Sequence, residues 1–180
     1  KKNKQIPINL EISATNEMLK IALKNKPNFI CIVPENRKEI TTEGGLNVKR
    51  RTKLMKKIID QLKRNKIRVS LFVEPKISDI RLSKLLGADC IELHTGKFCN
   101  LLNNNKNTKA AFIDLKKAAL YAEKIGLDVH AGHGLTYKTA YHISKIRYIS
   151  ELNIGHFIIS ESVFISLKNS IKRFKTIINK

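Results

Sequence analysis

The sequence predicts an α/β fold, in which strands alternate with helices to build a parallel sheet. Short apolar runs rich in β-branched residues alternate with longer segments whose apolar residues recur at helical spacing. About six such units follow one another along the 180 residues. Polar residues and glycines lie within the strands or just after their C-terminal ends, which favours a (β/α)8 TIM barrel over an open Rossmann-type sheet.

The first half of the chain contains four predicted strands, over residues 6–13, 29–33, 68–73 and 88–93. Helices are predicted over residues 15–24, 49–65 and 78–86. Thr15 has a side chain suited to an N-cap, and the second helix is amphipathic, with Leu54, Ile58 and Leu62 on one face. The polar stretch 34–47 predicts a long loop, and such loops often carry function.

The second half continues the alternation. The Asn-rich residues 96–107 predict a loop, which leads into a helix over residues 109–125 that ends at Gly126. Strands are predicted over residues 127–131 and 149–154, with a helix over residues 138–145 between them. The chain beyond Gly155 and His156 is predicted to be helical. Residues 1–180 are expected to form a single barrel domain.

The net charge of +20 raises the question of nucleic-acid binding. The basic residues are spread along the whole chain, and aromatic residues make up only 6%, too few for a stacking platform. The charge therefore favours anionic small-molecule substrates over nucleic acid. No apolar run is long enough to span a membrane, and no signal-peptide pattern is visible. With three widely spaced cysteines, we expect a cytoplasmic protein.

The stretch VHAGHGLTY, residues 129–137, contains the main candidate for chemistry. Two glycines flank His133, and glycine allows a tight turn and close approach of a ligand to the backbone. An imidazole, with a reference pKa of about 6.5, suits proton transfer near neutrality. From this motif alone, a turn with an incidental surface histidine is an equal alternative.

Two acids, Glu11 and Glu92, lie inside predicted apolar strands. A buried carboxylate without a partner is costly, so both positions favour a functional role over a paired core acid. A zinc site built from His94, His130 and His133 lacks neighbouring cysteine or aspartate ligands at the usual spacing, so no metal is expected.

Together these motifs resemble the pyridoxine 5′-phosphate synthase family of vitamin B6 biosynthesis, which has a (β/α)8 fold. The resemblance covers essentially the whole chain in family order. It rests on the stretches NLEIS (9–13), VPENRKEITTEGGL (33–46), VSLFV (69–73), IELHTG (91–96), AGHGLTY (131–137) and ELNIGH (151–156).

The resemblance implies an enzyme that condenses 1-deoxy-D-xylulose 5-phosphate with 3-amino-2-oxopropyl phosphate, releasing phosphate and water without a metal or organic cofactor. It assigns roles to seven residues: Glu11 as general base, His133 as general acid, Glu92 as a stabiliser of transition-state charge, Thr41 as a contact of the deoxyxylulose phosphate, and Gly134, Gly155 and His156 as holders of the aminoketone phosphate. Backbone N–H groups at Gly134 and Gly155, expected just before helix starts, suit phosphate.

The chain also departs from the family pattern. The family begins with two further β/α units, carrying Asn-x-Asp-His and His-Leu-Arg-rich stretches, so we expect this chain to supply the third to eighth strands and to lack the N-terminal quarter. Ser160 and Glu161 replace a Gly-Arg pair, which predicts weaker phosphate binding there. The family implies a homo-oligomer, an octamer.

Two alternatives to the synthase stay open. The first is another phosphate-binding TIM-barrel aldolase or isomerase, although no clear Schiff-base lysine stands at a strand end. The second is an inactive basic fragment that binds anions or nucleic acid.

Overall fold

The computed structural model describes residues 6–34 and 44–179. Within them, six parallel strands form one sheet in the order β1-β2-β3-β4-β5-β6, so each strand pairs with its neighbours in sequence. The strands are β1 (Asn9–Ser13), β2 (Phe29–Val33), β3 (Arg68–Val73), β4 (Cys90–His94), β5 (Asp128–Gly132) and β6 (Glu151–Asn153). The sheet is curled, and the architecture is an α/β half-barrel.

Helices follow the strands in the described part of the chain. They are α1 (Asn16–Asn25), α2 (Thr52–Arg64), α3 (Ile77–Leu86), α4 (Gly96–Asn103), α5 (Lys109–Lys124), α6 (Tyr137–Ser144), α7 (His156–Ile165) and α8 (Leu167–Ile178). The predicted N-cap is confirmed, since the hydroxyl of Thr15 accepts a hydrogen bond from the backbone N–H of Met18. The predicted strands and helices are confirmed with shifts of a few residues at their ends.

The predicted loop over residues 96–107 is wrong in its first part, where α4 forms. Asparagine is a weak helix former, which is why the composition favoured a loop. Phe98 and Cys99 are buried on one side of α4, and this tertiary packing outweighs the propensity of the asparagines. The C-terminal helical region is also divided, because Ser166 has a φ of 70° and separates α7 from α8.

The two faces of the sheet differ in polarity. One face carries fully buried aliphatic side chains such as Ile12, Ile32 and Leu93, which belong to the hydrophobic core shared with the helices. On the opposite face, the register places Glu11 beside Cys31, and Phe72 beside Glu92. Because side chains alternate across a strand, one set of residues fills the core and the other is left for chemistry.

In the described part of the chain, none of the helices has the length and apolar character needed to cross a membrane.

The helix-covered face of the sheet should carry most of the stability. Ile91, the second residue of β4, is 0% exposed, whereas Leu85 on α3 is 68% exposed. We expect Ile91→Ala to lower the free energy of unfolding by about 2–5 kcal/mol, because it opens a cavity. The matched control Leu85→Ala should change it by less than about 0.5 kcal/mol. Urea unfolding measures both, and equal losses would contradict this assignment of the core.

Candidate active site

A cavity of about 930 Å3 lies on the polar face of the sheet, towards the C-terminal ends of the strands. It brings together residues from distant parts of the chain. Among the described residues, every candidate from the sequence lines it: Glu11, Glu92, His133, Gly134, Gly155 and His156. Thr41 lies outside the described residues. The arrangement places two carboxyl groups and one imidazole around a single space large enough for a small molecule.

Glu92 is the most deeply buried acid of this cavity, with 4% of its surface exposed. Burial, with a smaller contribution from the negative charge of Glu11, raises the pKa of its carboxyl group from 4.5 to about 7. Two hydrogen bonds oppose this rise: Asn153 Nδ2 donates to Oε2 over 2.6 Å, and Cys31 Sγ donates to the same oxygen over 3.5 Å. Glu92 is therefore able to give or accept a proton near neutral pH.

Gly132 allows the carboxyl group of Glu92 to reach this position. A Cβ atom on Gly132 would lie 1.9 Å from Glu92 Oε1, and also 3.1 Å from the carbonyl oxygen of Asn153. No larger residue fits without displacing the carboxyl group. The first glycine of the AGHG motif is thus required by a close approach of Glu92, and not by its own backbone conformation.

His133 follows β5 in a tight turn. Its φ of 75° lies in the left-handed region, which is uncommon for residues other than glycine although histidine adopts it more often than most. Thr95 holds this turn, since its hydroxyl oxygen lies 2.8 and 2.6 Å from the carbonyl oxygens of Gly132 and His133, which share its one donated hydrogen. The ring of His133 borders the cavity and lies 4.8 Å, between ring centroids, from the ring of His94. The turn fixes the imidazole at the end of the sheet.

The two glycines expected to bind phosphate differ in their surroundings. Gly134 has a φ of 74° and packs against Cys99, but α6 begins only at Tyr137, after the N-cap Thr136. Gly134 therefore lies two residues before the N-cap of α6, and the helix begins within one residue of its predicted start. Gly155 is the N-cap residue of α7, as expected, and among the described residues nothing beyond its chain neighbours lies within 4 Å of the position that its Cβ would take.

Glu11 differs from its sequence-based description. It was expected to be buried inside an apolar strand, but it is exposed on the polar face of β1, one of the two edge strands of the sheet. The apolar neighbours that suggested burial, Leu10 and Ile12, point to the other face and belong to or pack against the core. Exposure leaves the carboxylate accessible from the cavity.

Several site residues were missed from the sequence. Asn153 binds Glu92, and Glu74 accepts hydrogen bonds from His94 Nδ1 over 2.9 Å and from the backbone N–H of Gly45 over 2.8 Å. Asn153 and Glu74 each stand at or just after the C-terminal end of a strand. The rule that located Glu92 was thus able to locate them as well.

Across residues 6–34 and 44–179, no three His, Cys, Asp or Glu side chains are grouped so that they would hold a metal ion. His130 is buried on the polar face, and its Nδ1 lies 3.8 Å from Glu151. The zinc alternative therefore finds no ligand set in that part of the chain.

Comparison with known proteins identifies the family. The family model described as "Pyridoxal phosphate biosynthesis protein PdxJ" matches residues 1–180. The chain belongs to this family. A pyridoxine 5′-phosphate synthase from Pelagibacter ubique is 53% identical over 179 residues, which cover 99% of this chain and 75% of that protein. One from Zymomonas mobilis is 48% identical over 170 residues, which cover 94% of this chain and 66% of that protein.

A solved structure shares the fold. The crystal structure of citrate synthase SbnG aligns with a TM-score of 0.55 over 95% of this chain and 72% of that one, at 12% sequence identity. At this identity the likeness concerns the fold alone.

The hydrogen bond from Asn153 should hold the pKa of Glu92 down. We expect Asn153→Ala to raise that pKa above about 7, because the amide stabilises the ionised carboxylate. Carbon-13 NMR of glutamate-labelled protein measures the titration. Asn25→Ala, on the exposed side of α1, serves as the control and should leave it unchanged. A lower pKa in Asn153→Ala would contradict the geometry of the site.

The raised pKa of Glu92 also predicts a pH dependence of stability. Between pH 4.5 and about 7, Glu92 is still protonated in the folded chain but has already lost its proton in the unfolded chain. Folding is therefore most favoured below this window and loses about 3 kcal/mol from this group as the pH rises through it. Glu92→Gln removes this single contribution, so its stability relative to wild type should increase by that amount over the window. Urea titrations at several pH values measure the difference in free energy of unfolding between variant and wild type. A difference that stays constant with pH would show that the pKa of Glu92 is not raised.

Proposed function

We propose that this chain acts as a pyridoxine 5′-phosphate synthase, which condenses 1-deoxy-D-xylulose 5-phosphate with 3-amino-2-oxopropyl phosphate. One observation carries the proposal: Glu11 of β1, Glu92 of β4 and His133 after β5 line the same cavity. The names of the relatives from Pelagibacter ubique and Zymomonas mobilis support the same activity.

We also propose that the six strands are the third to eighth strands of a (β/α)8 barrel. The sequential parallel order and the apolar, helix-covered face support this. In such a barrel the polar face becomes the interior, and two further β/α units pair with the outer edges of β1 and β6. The active site of this fold lies at the C-terminal ends of the strands, where the cavity is found.

The three acid–base groups match the needs of ring closure, which proceeds through dehydrations and tautomerisations that each move protons. Glu11, exposed to the cavity, accepts a proton from bound substrate as general base. His133 donates a proton to the departing oxygen as general acid. Glu92, with its pKa of about 7, donates a hydrogen bond to the substrate oxygen that becomes negative in the transition state, or exchanges a proton with that oxygen.

The start of α7 suits the phosphate of the aminoketone substrate. Among the described residues no side chain caps this helix, whereas α6 is capped by Thr136 and Thr139. The backbone N–H groups of the first turn of α7, next to Gly155 and His156, are therefore available to an anion, and the helix dipole favours negative charge there. Gly134 lines the same cavity. Thr41 is proposed to contact the deoxyxylulose phosphate.

Glu161 bears on this phosphate site. It lies in the second turn of α7, beyond the first-turn N–H groups. We propose that it weakens phosphate binding through its charge and not by occupying the site.

The aldolase alternative receives no support from the cavity. Its lining includes no lysine among the described residues, and a Schiff-base mechanism needs one. A cytoplasmic location and a homo-oligomer, an octamer by family resemblance, stay predictions. The helix α7 exposes the apolar side chains of Ile159, Val163 and Phe164. Exposed apolar surface of this kind supports contact with another protein surface, as in a homo-oligomer.

The role of His133 is tested by His133→Asn. Asparagine readily adopts the left-handed backbone that this position requires, so the fold should persist. We expect the formation of pyridoxine 5′-phosphate from the two substrates to fall at least about 100-fold, the usual contribution of a general acid. His142→Asn, at an exposed position on α6, is the matched control. Chromatography of the product measures the rate. A chain that binds both substrates and forms no product, or a His133→Asn variant with normal turnover, would contradict the proposal.

A further inference from the structure

We infer that Glu74 and His94 form a positioning pair, which holds the ring of His133 and favours its protonated form so that it can donate a proton at neutral pH. This inference rests on the proposed role of His133 as general acid. Glu74 and His94 themselves line a second cavity of about 740 Å3, which meets the first at His133 and Gly134.

The hydrogen bond between the two residues determines where the proton on His94 lies. His94 Nδ1 is 2.9 Å from Glu74 Oε1, and this oxygen also accepts from the backbone N–H of Gly45. An ionised carboxylate only accepts hydrogen bonds, so Nδ1 of His94 must carry the hydrogen. In the neutral ring the lone pair then lies on Nε2. That atom is buried and makes no hydrogen bond within the described structure.

The Nε2 edge of His94 faces the region beside His133. A Cβ atom on Gly96 would lie 2.6 Å from His94 Nε2 and 3.0 Å from His133 Cδ2, so both rings border the same small space. The ring centroids are 4.8 Å apart at an interplanar angle of 56°. Phe72 packs against both imidazoles, with centroid distances of 5.2 and 6.3 Å. Gly96 and Phe72 thus leave the two rings little freedom to separate.

The charge of Glu74 persists throughout the working pH range. The hydrogen bond from His94 is the largest cause that lowers the pKa of Glu74 to about 2, and the Gly45 N–H adds to it against the effect of burial. The fixed negative charge of Glu74 polarises and orients the imidazole of His94. The polarised ring then favours a positive charge on the neighbouring ring of His133.

Two lysines also act in this region. Lys76 favours the ionised form of Glu74, and Lys97 of α4 lines the second cavity together with both histidines. Lys97 disfavours a cation on His133, but it is exposed. Solvent and salt therefore weaken its effect more than that of the pair, in which His94 is buried and Glu74 is partly buried.

A packing role for His94 makes a different prediction from a positioning role. His94→Phe keeps an aromatic ring beside Phe72 and His133, yet removes both ring nitrogens. Glu74→Gln keeps an oxygen that accepts from His94 and removes only the charge. A packing role alone predicts that the pKa of His133 is the same in both variants as in the wild type. The positioning pair predicts a lower pKa of His133 in both variants.

The experiment is an NMR pH titration of the full chain with isotope-labelled histidine. The His133 resonance is assigned by its loss in His133→Asn. We expect the pKa of His133 to fall by about 0.5–1 unit in both Glu74→Gln and His94→Phe. The control Glu123→Gln, which removes an equal charge from the exposed face of α5, should leave it unchanged. If His94→Phe does not fold, Glu74→Gln alone decides the outcome, because its side chain is 31% exposed and tolerates the change.

An unchanged pKa in both variants would overturn the inference, and so would a fall in only one of two folded variants, since the two residues would then not act as a pair. The titration needs no substrate, so it separates this inference from the proposed function. If the variants lower the pKa of His133 but the chain makes no pyridoxine 5′-phosphate, the proposed synthase activity is contradicted and the positioning pair is supported. If the chain forms product normally but the pKa of His133 is unchanged in both variants, only the positioning pair is contradicted.

Discussion

The close approach of the Glu92 carboxyl group to Gly132 is the contact on which the rest of the site depends. One oxygen of Glu92 lies 1.9 Å from the position that a Cβ on Gly132 would take, and the other accepts a hydrogen bond from Asn153. The acid is thereby held across β4, β5 and β6 in a buried setting that raises its pKa to about 7. A carboxyl group that changes protonation near neutrality is an unusual and costly feature in a fold, and its presence points to proton chemistry.

The separation of the two sheet faces makes this cost tolerable. Aliphatic side chains such as Ile32, Leu71 and Leu93 pack against the helices and supply the hydrophobic stabilisation. The opposite face is then free to carry acids, histidines and cysteines without interrupting the core. The same separation explains why Glu11 is exposed although the strand around it is apolar.

Local features of the fold were predictable because they depend on short stretches of sequence. The apolar run Phe29–Val33 is a strand with the predicted bounds, and Thr15 caps α1 because its hydroxyl meets an N–H three residues away. The polar residues at strand ends identified Glu92 and His133 as candidates. What was missed depends on contacts between distant residues: α4 forms because Phe98 and Cys99 are buried, and Glu74 reaches His94 across 20 positions of sequence. Composition and periodicity do not report such contacts.

The most direct test of the account is a crystal structure of the chain with pyridoxine 5′-phosphate bound. The account predicts that the pyridine ring occupies the cavity between Glu11, Glu92 and His133, with the phosphate at the backbone N–H groups that begin α7. Product bound only in the second cavity beside Lys97, or a phosphate bound away from Gly155 and His156, would contradict it.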